Sequence, residues 1–301
     1  MYYGNETYRG GVARGCELCL LGAKSVILIT GLCPLNCPYC PVSAERFGKD
    51  VMYVNDVAVQ RIEDIPRIVA EYASDGAAIT GGDPSVVAER VKAVADLLKR
   101  EFGDGFHIHM YTHILNLNGR RTGILASSKV DEVRIHVISK EQAVGREKYV
   151  KALAAAGKTV GVEVPALPGF EQQIAEAINH LAPYISFVNI NELDISEANI
   201  ERLKALGYKT AGLNVAGSLE AARKIASLVT APVHICTGRT KDIVQIGTRL
   251  FRHVMTTAGP NEYVQDDGTV VYDEEGNHPR SPHAKKIRIK LTTGQKTLEV
   301  L

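Results

Sequence analysis

The sequence predicts an α/β protein: a TIM-like (β/α) barrel of six to eight parallel strands with a small C-terminal β appendage. Three observations predict it. Short β-branched runs alternate with amphipathic or Ala-rich stretches between residues 25 and 260, as parallel strands with right-handed crossovers do. Five of those runs carry one apolar and one polar face. After about Asn261 the alternation gives way to short strands and turns. At 301 residues, 45% hydrophobic and 23% charged, the chain has the apolar content of a sizeable core, which excludes disorder and collagen-like repeats.

Taken in order, strands are expected at 25–30, 77–80, 106–112, 132–137, 159–164 and 187–190, a weaker one near 210–213, and a last one at 233–236. Helices fill the gaps at 62–75, 85–101, 140–156, 172–181, 196–206 and 218–229. Ser196 before Glu197 and Ser218 before Glu220 read as helix N-caps. The organisation is an N-terminal segment at 1–24, the barrel at 25–260 and the appendage at 261–301.

In the appendage, DDGTVVYDEEGN reads as a hairpin built on Asp267-Gly268 and Glu275-Gly276-Asn277, and KKIRIKL as a further strand. From His278 to Lys296 it carries Arg280, Lys285, Lys286, Arg288, Lys290 and Lys296 without an acidic residue. That pattern suits a lysine-guarded edge strand or an RNA-facing surface.

The formal charge of +1, from 35 basic and 34 acidic residues, gives no global field toward nucleic acid or anionic membrane. Apolar runs fall far short of the roughly 20 residues that span a bilayer, and the N-terminus MYYGNETYRG is polar. The expectation is a soluble, unprocessed cytoplasmic protein with no membrane partner.

Within the strands, Val133, Ile135 and Val137 oppose Arg134 and His136, and Phe106, Ile108 and Met110 oppose His107, His109 and Tyr111. Val160, Val162 and Val164 oppose Gly161 and Glu163, Val188 and Ile190 oppose Asn189 and Asn191, and Val233 and Ile235 oppose His234 and Cys236. A β/α barrel ordinarily fills its interior with Val, Ile and Leu. Five strands with polar inner faces predict a polar cavity for a polar ligand, because buried groups of this kind must find partners.

Six cysteines, five of them between Cys16 and Cys40, are too few and too clustered for a disulfide framework. Cys33, Cys37 and Cys40 lie on a short proline-punctuated loop directly after the first strand. Three thiolates so placed can hold three irons of a 4Fe-4S cubane and leave the fourth open. A zinc loop more often shows paired Cys-x2-Cys knuckles.

Cys33-x3-Cys37-x2-Cys40 with Tyr39 before the last cysteine, and Gly81-Gly82-Asp83-Pro84 at the end of the next strand, resemble the radical S-adenosylmethionine (SAM) superfamily. With GCELCLLGAKSVILITGLCPLNCPYCP, FHIHMYT and NINELD, the chain looks like an archaeal family related to pyruvate formate-lyase activating enzyme. Asp83 stands where the family's usual motif has Glu.

The resemblance implies an enzyme with a 4Fe-4S cluster that cleaves SAM reductively to methionine and a hydrogen-abstracting 5′-deoxyadenosyl radical. A ferredoxin- or flavodoxin-type electron donor is implied as a partner. It places Tyr39 near adenine, Gly81, Gly82, Asp83 and Pro84 near the methionine amino group, and Arg134, His136, Glu163 and Asn189 along the SAM side of the lumen. Arg134 is the candidate for the carboxylate, since a guanidinium matches it bidentately.

Cys16, Cys19 and Cys236 remain. Cys16-Glu-Leu-Cys19 is a metal knuckle by spacing, and His234-Ile-Cys236 puts a nitrogen and a sulfur on one strand face. The readings are a second 4Fe-4S cluster, with an open iron or with His234 as fourth ligand, a structural Cys3His zinc, or free thiols. Residues 20–24 span at most about 17 Å, so a shared site requires the N-terminal segment to fold back over the strand C-termini. A three-cysteine auxiliary cluster would resemble that of the archaeal tRNA wybutosine-forming enzyme.

The leading functional expectation is a radical SAM enzyme modifying a substrate, RNA such as tRNA being favoured, over the barrel's C-terminal face. The alternatives are a glycyl-radical-enzyme activase and a non-catalytic iron-sulfur or zinc-binding protein. His109, His113, Asn191 and Glu192 are expected at strand ends within a substrate's reach, with His109 or Glu192 as acid or base.

Overall fold

The alternating apolar faces become the outer surface of one sheet in the computed structural model, which describes residues 6–259, 261–265, 269–272, 287–290 and 297–300. A short strand β1 (Glu6–Arg9) and helix α1 (Arg14–Leu20) precede β2 (Lys24–Thr30). After the cysteine loop come β3 (Met52–Val54) and β4 (Val57–Val59), whose hairpin turns on Asn55 and Asp56, both with positive φ. The main alternation follows: α2 (Ile65–Glu71), β5 (Gly76–Gly81), α3 (Ala88–Phe102), β6 (His107–His113), α4 (Gly119–Ala126) and β7 (Glu132–His136).

Next are α5 (Lys140–Ala143), α6 (Glu147–Ala155), β8 (Thr159–Pro165), α7 (Glu171–Leu181) and β9 (Phe187–Asn191). The helix expected across 140–156 is broken into two because Gly145 takes a left-handed φ of 77°. Then come α8 (Ile200–Ala205), the two-residue strands β10 (Thr210–Ala211) and β11 (Asn214–Val215), α9 (Ser218–Leu228) and β12 (Val233–Cys236). A π-helical stretch, Thr240–Ile246, leads into α10 (Gly247–Thr257).

The main sheet has the order β1-β12-β9-β8-β7-β6-β5-β2-β3-β4. Seven strands, β2, β5, β6, β7, β8, β9 and β12, run parallel, each beside its neighbour in this order. β1 and the β3–β4 hairpin are antiparallel additions at the two edges. The strand expected near 210–213 is not part of the barrel: β10 pairs only with β11, a separate two-residue ladder.

The face toward the helices is a continuous apolar core in which Ile108, Met110, Val133, Ile135, Val162, Val188 and Ile235 are inaccessible to solvent. Each such side chain contributes about 2 kcal/mol on burial. The two serine caps are corrected. α8 starts later, at Ile200 after Asn199, and α9 follows a left-handed Gly217 while the Ser218 hydroxyl donates to the Ala166 carbonyl.

α1 and α10, neither expected from the sequence, complete the enclosure. α1 packs on β2, β5, β6 and the π-helical stretch, and α10 packs on α2. Beyond the barrel, β13 (Glu262–Val264) pairs with β14 (Val270–Tyr272), and β15 (Ile287–Lys290) with β16 (Thr297–Val300). The turns at Asp267-Gly268 and Glu275-Gly276-Asn277 lie outside the described residues, as do Arg280, Lys285, Lys286 and Lys296 of the basic stretch. No helix among the described residues is long and apolar enough to cross a membrane.

Candidate active site

Parallel strands put their C-terminal ends, and the loops that follow them, on one rim. A cavity of about 340 Å³ opens there, within the size range of small-molecule sites. Cys33, Cys37 and Cys40 line it from the loop after β2, residues 81–84 from the end of β5, and His113, His136, Glu163 and Asn191 from the ends of β6 to β9.

The two motifs meet because glycine allows it. A Cβ on Gly81 would stand 2.1 Å from the Thr30 carbonyl oxygen, and one on Gly82 would stand 2.4 Å from that of Leu32. Backbone contacts exploit the approach: Gly82 N donates to Thr30 O and Asp83 N to Leu32 O, each at 2.8 Å.

The Asp83 carboxylate is only 2% exposed and is saturated by the protein. One oxygen accepts from the Ser85 amide and hydroxyl and from Thr112 Oγ1, the other from the His113 amide and Asn116 Nδ2, at 2.6–2.9 Å. The acidic side chain thus braces the turn against β6, leaving the backbone to face a ligand.

Two residues that sequence reasoning missed fix the cysteine loop. Arg202 on α8 donates to Asn36 Oδ1 and to the carbonyls of Cys37, Cys40 and Ala198, at 3.0–3.2 Å. Asn199, fully buried, donates to the Tyr39 carbonyl at 3.1 Å. Neither lies in a motif, and only long-range packing brings α8 to the loop. Burial pushes the thiols of Cys33 and Cys37 up, opposed at Cys33 by a backbone hydrogen bond from Leu35 and at Cys37 by the nearby Arg202 charge.

Tyr39 reaches into the lumen, where its hydroxyl donates to His136 Nε2 at 2.8 Å; His136 Nδ1 then faces the Glu163 carbonyl at 3.3 Å. Burial lowers the His136 pKa, so the ring is neutral and its tautomer is set by these two partners. At His113, Nδ1 accepts the Leu115 amide at 3.1 Å, which leaves the proton on Nε2; burial brings this imidazole down to about 3.

Arg134 lines the cavity, yet its guanidinium is committed. Nε donates to Glu132 at 2.6 Å, Nη1 to Glu163 at 2.5 Å and Nη2 to Cys16 Sγ at 3.3 Å. Burial alone would raise the Glu163 carboxyl; Arg134, Asn191 and Asn189 outweigh it and bring it below its ordinary value. The expected free guanidinium is therefore corrected: Arg134 is the cation of a buried network.

His109 is corrected likewise. It is fully buried, bonded to Lys24 Nζ at 3.2 Å and to the Tyr111 hydroxyl at 3.0 Å, and does not line the cavity. It lies two residues below the strand level that Tyr111 closes. Glu192 does line the cavity, and its carboxylate accepts from the Gly238 amide at 2.8 Å. Asn189 lies behind the rim, holding His234 Nδ1 at 2.7 Å.

A parallel α/β barrel with three thiols and a glycine-paired turn converging on one rim cavity defines a metallocofactor-dependent enzyme. The pattern of the Radical SAM superfamily matches residues 27–164. A Methanocaldococcus jannaschii protein provisionally named a glycyl-radical enzyme activating enzyme is 35% identical over 272 residues, 85% of this chain and 72% of the relative. The chain belongs to the radical SAM superfamily.

Among solved structures, Streptococcus suis SuiB is 14% identical, with a TM-score of 0.46 over 71% of this chain and 49% of that one. The radical SAM methyltransferase TsrM from Kitasatospora setae is also 14% identical, with a TM-score of 0.46 over 76% of this chain and 58% of its own. The chain thus spans about half the length of these two structures.

Proposed function

We propose that the rim cavity holds a 4Fe-4S cluster on Cys33, Cys37 and Cys40 with SAM beside it, and that the chain abstracts hydrogen from a macromolecular substrate. The observation that carries the reading is the convergence of the three thiols and residues 81–84 on one cavity. The donor set fits a cluster: three thiols on one loop, pushed up by burial where a shift is resolved, become thiolates when a metal takes them.

Bound there, the cluster and SAM supply one-electron cleavage of the sulfonium and the hydrogen-abstracting species of this family. The chain supplies position and shelter from water. Residues 81–83, which line the cavity, would hold the amino group of SAM through their backbone. With Arg134 committed to its network, His113 takes the carboxylate, because its Nε2 carries the ring proton at the cavity wall. Tyr39 and His136 form the wall toward adenine, and Glu192 closes the opposite side. The electron comes from a ferredoxin- or flavodoxin-type donor.

For the substrate, the name of the Methanocaldococcus relative favours a partner polypeptide, with the chain acting as a glycyl-radical-enzyme activase. Its 35% identity is the observation that ranks this above RNA, whose support is a basic stretch lying mostly outside the described residues. The test is anaerobic reduction of cluster-loaded protein with SAM. Release of 5′-deoxyadenosine and methionine, absent in Cys40→Ala, is expected; loaded, reduced protein that cleaves no SAM overturns the reading. A glycine-centred radical on an added partner supports the activase form, and label transfer to tRNA supports the RNA form instead.

A further inference from the structure

Three cysteines lie outside the rim site, and the buried His234 imidazole beside one of them has a nitrogen without a hydrogen-bond partner. Cys16 and Cys19, three residues apart on α1, share a helix face. Cys16 is 5% exposed, with its sulfur against the Arg134 guanidinium inside the lumen. Cys236 ends β12, buried, and its sulfur accepts from Gln245 at 3.4 Å. The π-helical stretch bearing Gln245 packs on α1, so the two cysteine-bearing elements share a neighbour. Cys16 lies on Arg134, which pairs with Glu163, and His234 lies on Asn189 beside them, so α1 and β12 face one buried polar network without the fold-back over the rim that the short linker seemed to demand.

His234 stands two residues before Cys236 and hence on the same strand face. Its Nδ1–H donates to Asn189 Oδ1 at 2.7 Å, and Asn189 keeps that oxygen in place because its amide hydrogen-bonds to Glu163. Nε2 is left as a lone pair, buried and without a hydrogen-bond partner. Burying an unsatisfied polar atom is unfavourable. An imidazole held through its other nitrogen by a carbonyl oxygen is the form in which histidine ligates a metal.

We infer that Cys16, Cys19, Cys236 and His234 form a second iron-sulfur site, its four ligands completing a 4Fe-4S shell. A single zinc ion would need every sulfur about 2.3 Å from one point. Among the described residues no three His, Cys, Asp or Glu side chains converge in that way. Cys33, Cys37 and Cys40 do not converge so closely either, and a cubane gives each ligand its own iron and so does not require that convergence. Ordinary core thiols would sit among apolar groups, whereas Cys16 sits on a guanidinium and Cys236 on an amide donor. The shell is full, so this site binds no substrate, in contrast to the three-cysteine rim site.

The test is the iron, sulfide and zinc content of anaerobically reconstituted full-length chain and of two variants. Wild type should hold about eight irons, Cys33→Ala/Cys37→Ala/Cys40→Ala about four, and Cys16→Ala/Cys19→Ala about four. The triple variant should keep a reduced-cluster electron paramagnetic resonance signal. About four irons in wild type with none in the triple variant overturns the inference and leaves the rim reading intact. About four in both overturns the rim reading and leaves the second site standing. A bound zinc lost in Cys16→Ala/Cys19→Ala also overturns the inference. His234→Cys, which keeps a ligand, should retain the iron and lower the reduction potential of the cluster in the triple-variant background, since histidine ligation raises it; an unchanged potential removes His234 from the shell and overturns the four-ligand assignment.

Discussion

The Tyr39 hydroxyl stands 2.8 Å from His136 Nε2 and donates to it. This bond ties the cysteine loop to the barrel lumen and fixes an imidazole tautomer at the cavity wall. A neutral hydrogen bond of this kind contributes about 1 kcal/mol. Tyr39→Phe should therefore keep the loop cluster, seen as unchanged iron and sulfide, and slow SAM cleavage by roughly fivefold. Loss of iron in the variant would show that the bond holds the loop itself.

Arg202 makes the larger contribution to the loop. Its donors satisfy the carbonyls of Cys37 and Cys40. Arg202→Ala should cost about 2 kcal/mol of loop order, read as a several-fold faster loss of cluster absorbance to a chelator. Arg202→Lys should recover only part of it, because one ammonium cannot reach the carbonyls that the guanidinium fork spans.

His113 gives a signed pH dependence. The unfolded chain binds its proton at the ordinary imidazole value near 6.5, while burial in the folded chain delays protonation to about 3. Between those values the unfolded state holds more protons, so stability falls as pH drops through the window and levels off below about 3. The loss is on the order of 5 kcal/mol. Protonation also takes away the acceptor of the Leu115 amide. His113→Asn, with an oxygen able to accept that amide, should flatten the acid limb in urea titrations at stepped pH. An unchanged limb would assign the dependence to other groups.

The strand positions were legible because period-two alternation survives in five of the seven parallel strands and a short β-branched run marks β2, and the rim site because its cysteines and glycines are contiguous in sequence. What escaped has physical causes. α1 carries Cys16 and Cys19 in so few residues that helical periodicity has no length to register. The β3–β4 hairpin turns on Asn55 and Asp56 without the glycine that usually signals a type I′ turn. Arg134 and His109 were placed on the correct face of their strands, yet alternation specifies the face and not the depth. Alternation alone therefore leaves Arg134 a candidate for a ligand carboxylate and His109 a rim residue. Lys24, Gly15 and Glu163, whose atoms surround them, come from separate elements that no local pattern connects.

That buried network makes the sharpest stability prediction. Arg134 is 2% exposed and balances Glu132 and Glu163, themselves 1% and 13% exposed at the side chain. Charges so placed are costly to desolvate, and deleting one partner strands the others. Arg134→Ala should destabilise the chain by about 3 to 5 kcal/mol, measured by chemical denaturation of the metal-free protein. Arg134→Met/Glu132→Gln, which removes one charge of each sign while conserving volume, should recover much of that loss, as buried pairs generally can be replaced by neutral groups. If the single and double variants were equally unstable, the guanidinium's packing against Phe187 and Tyr111 would carry the stability rather than its charge.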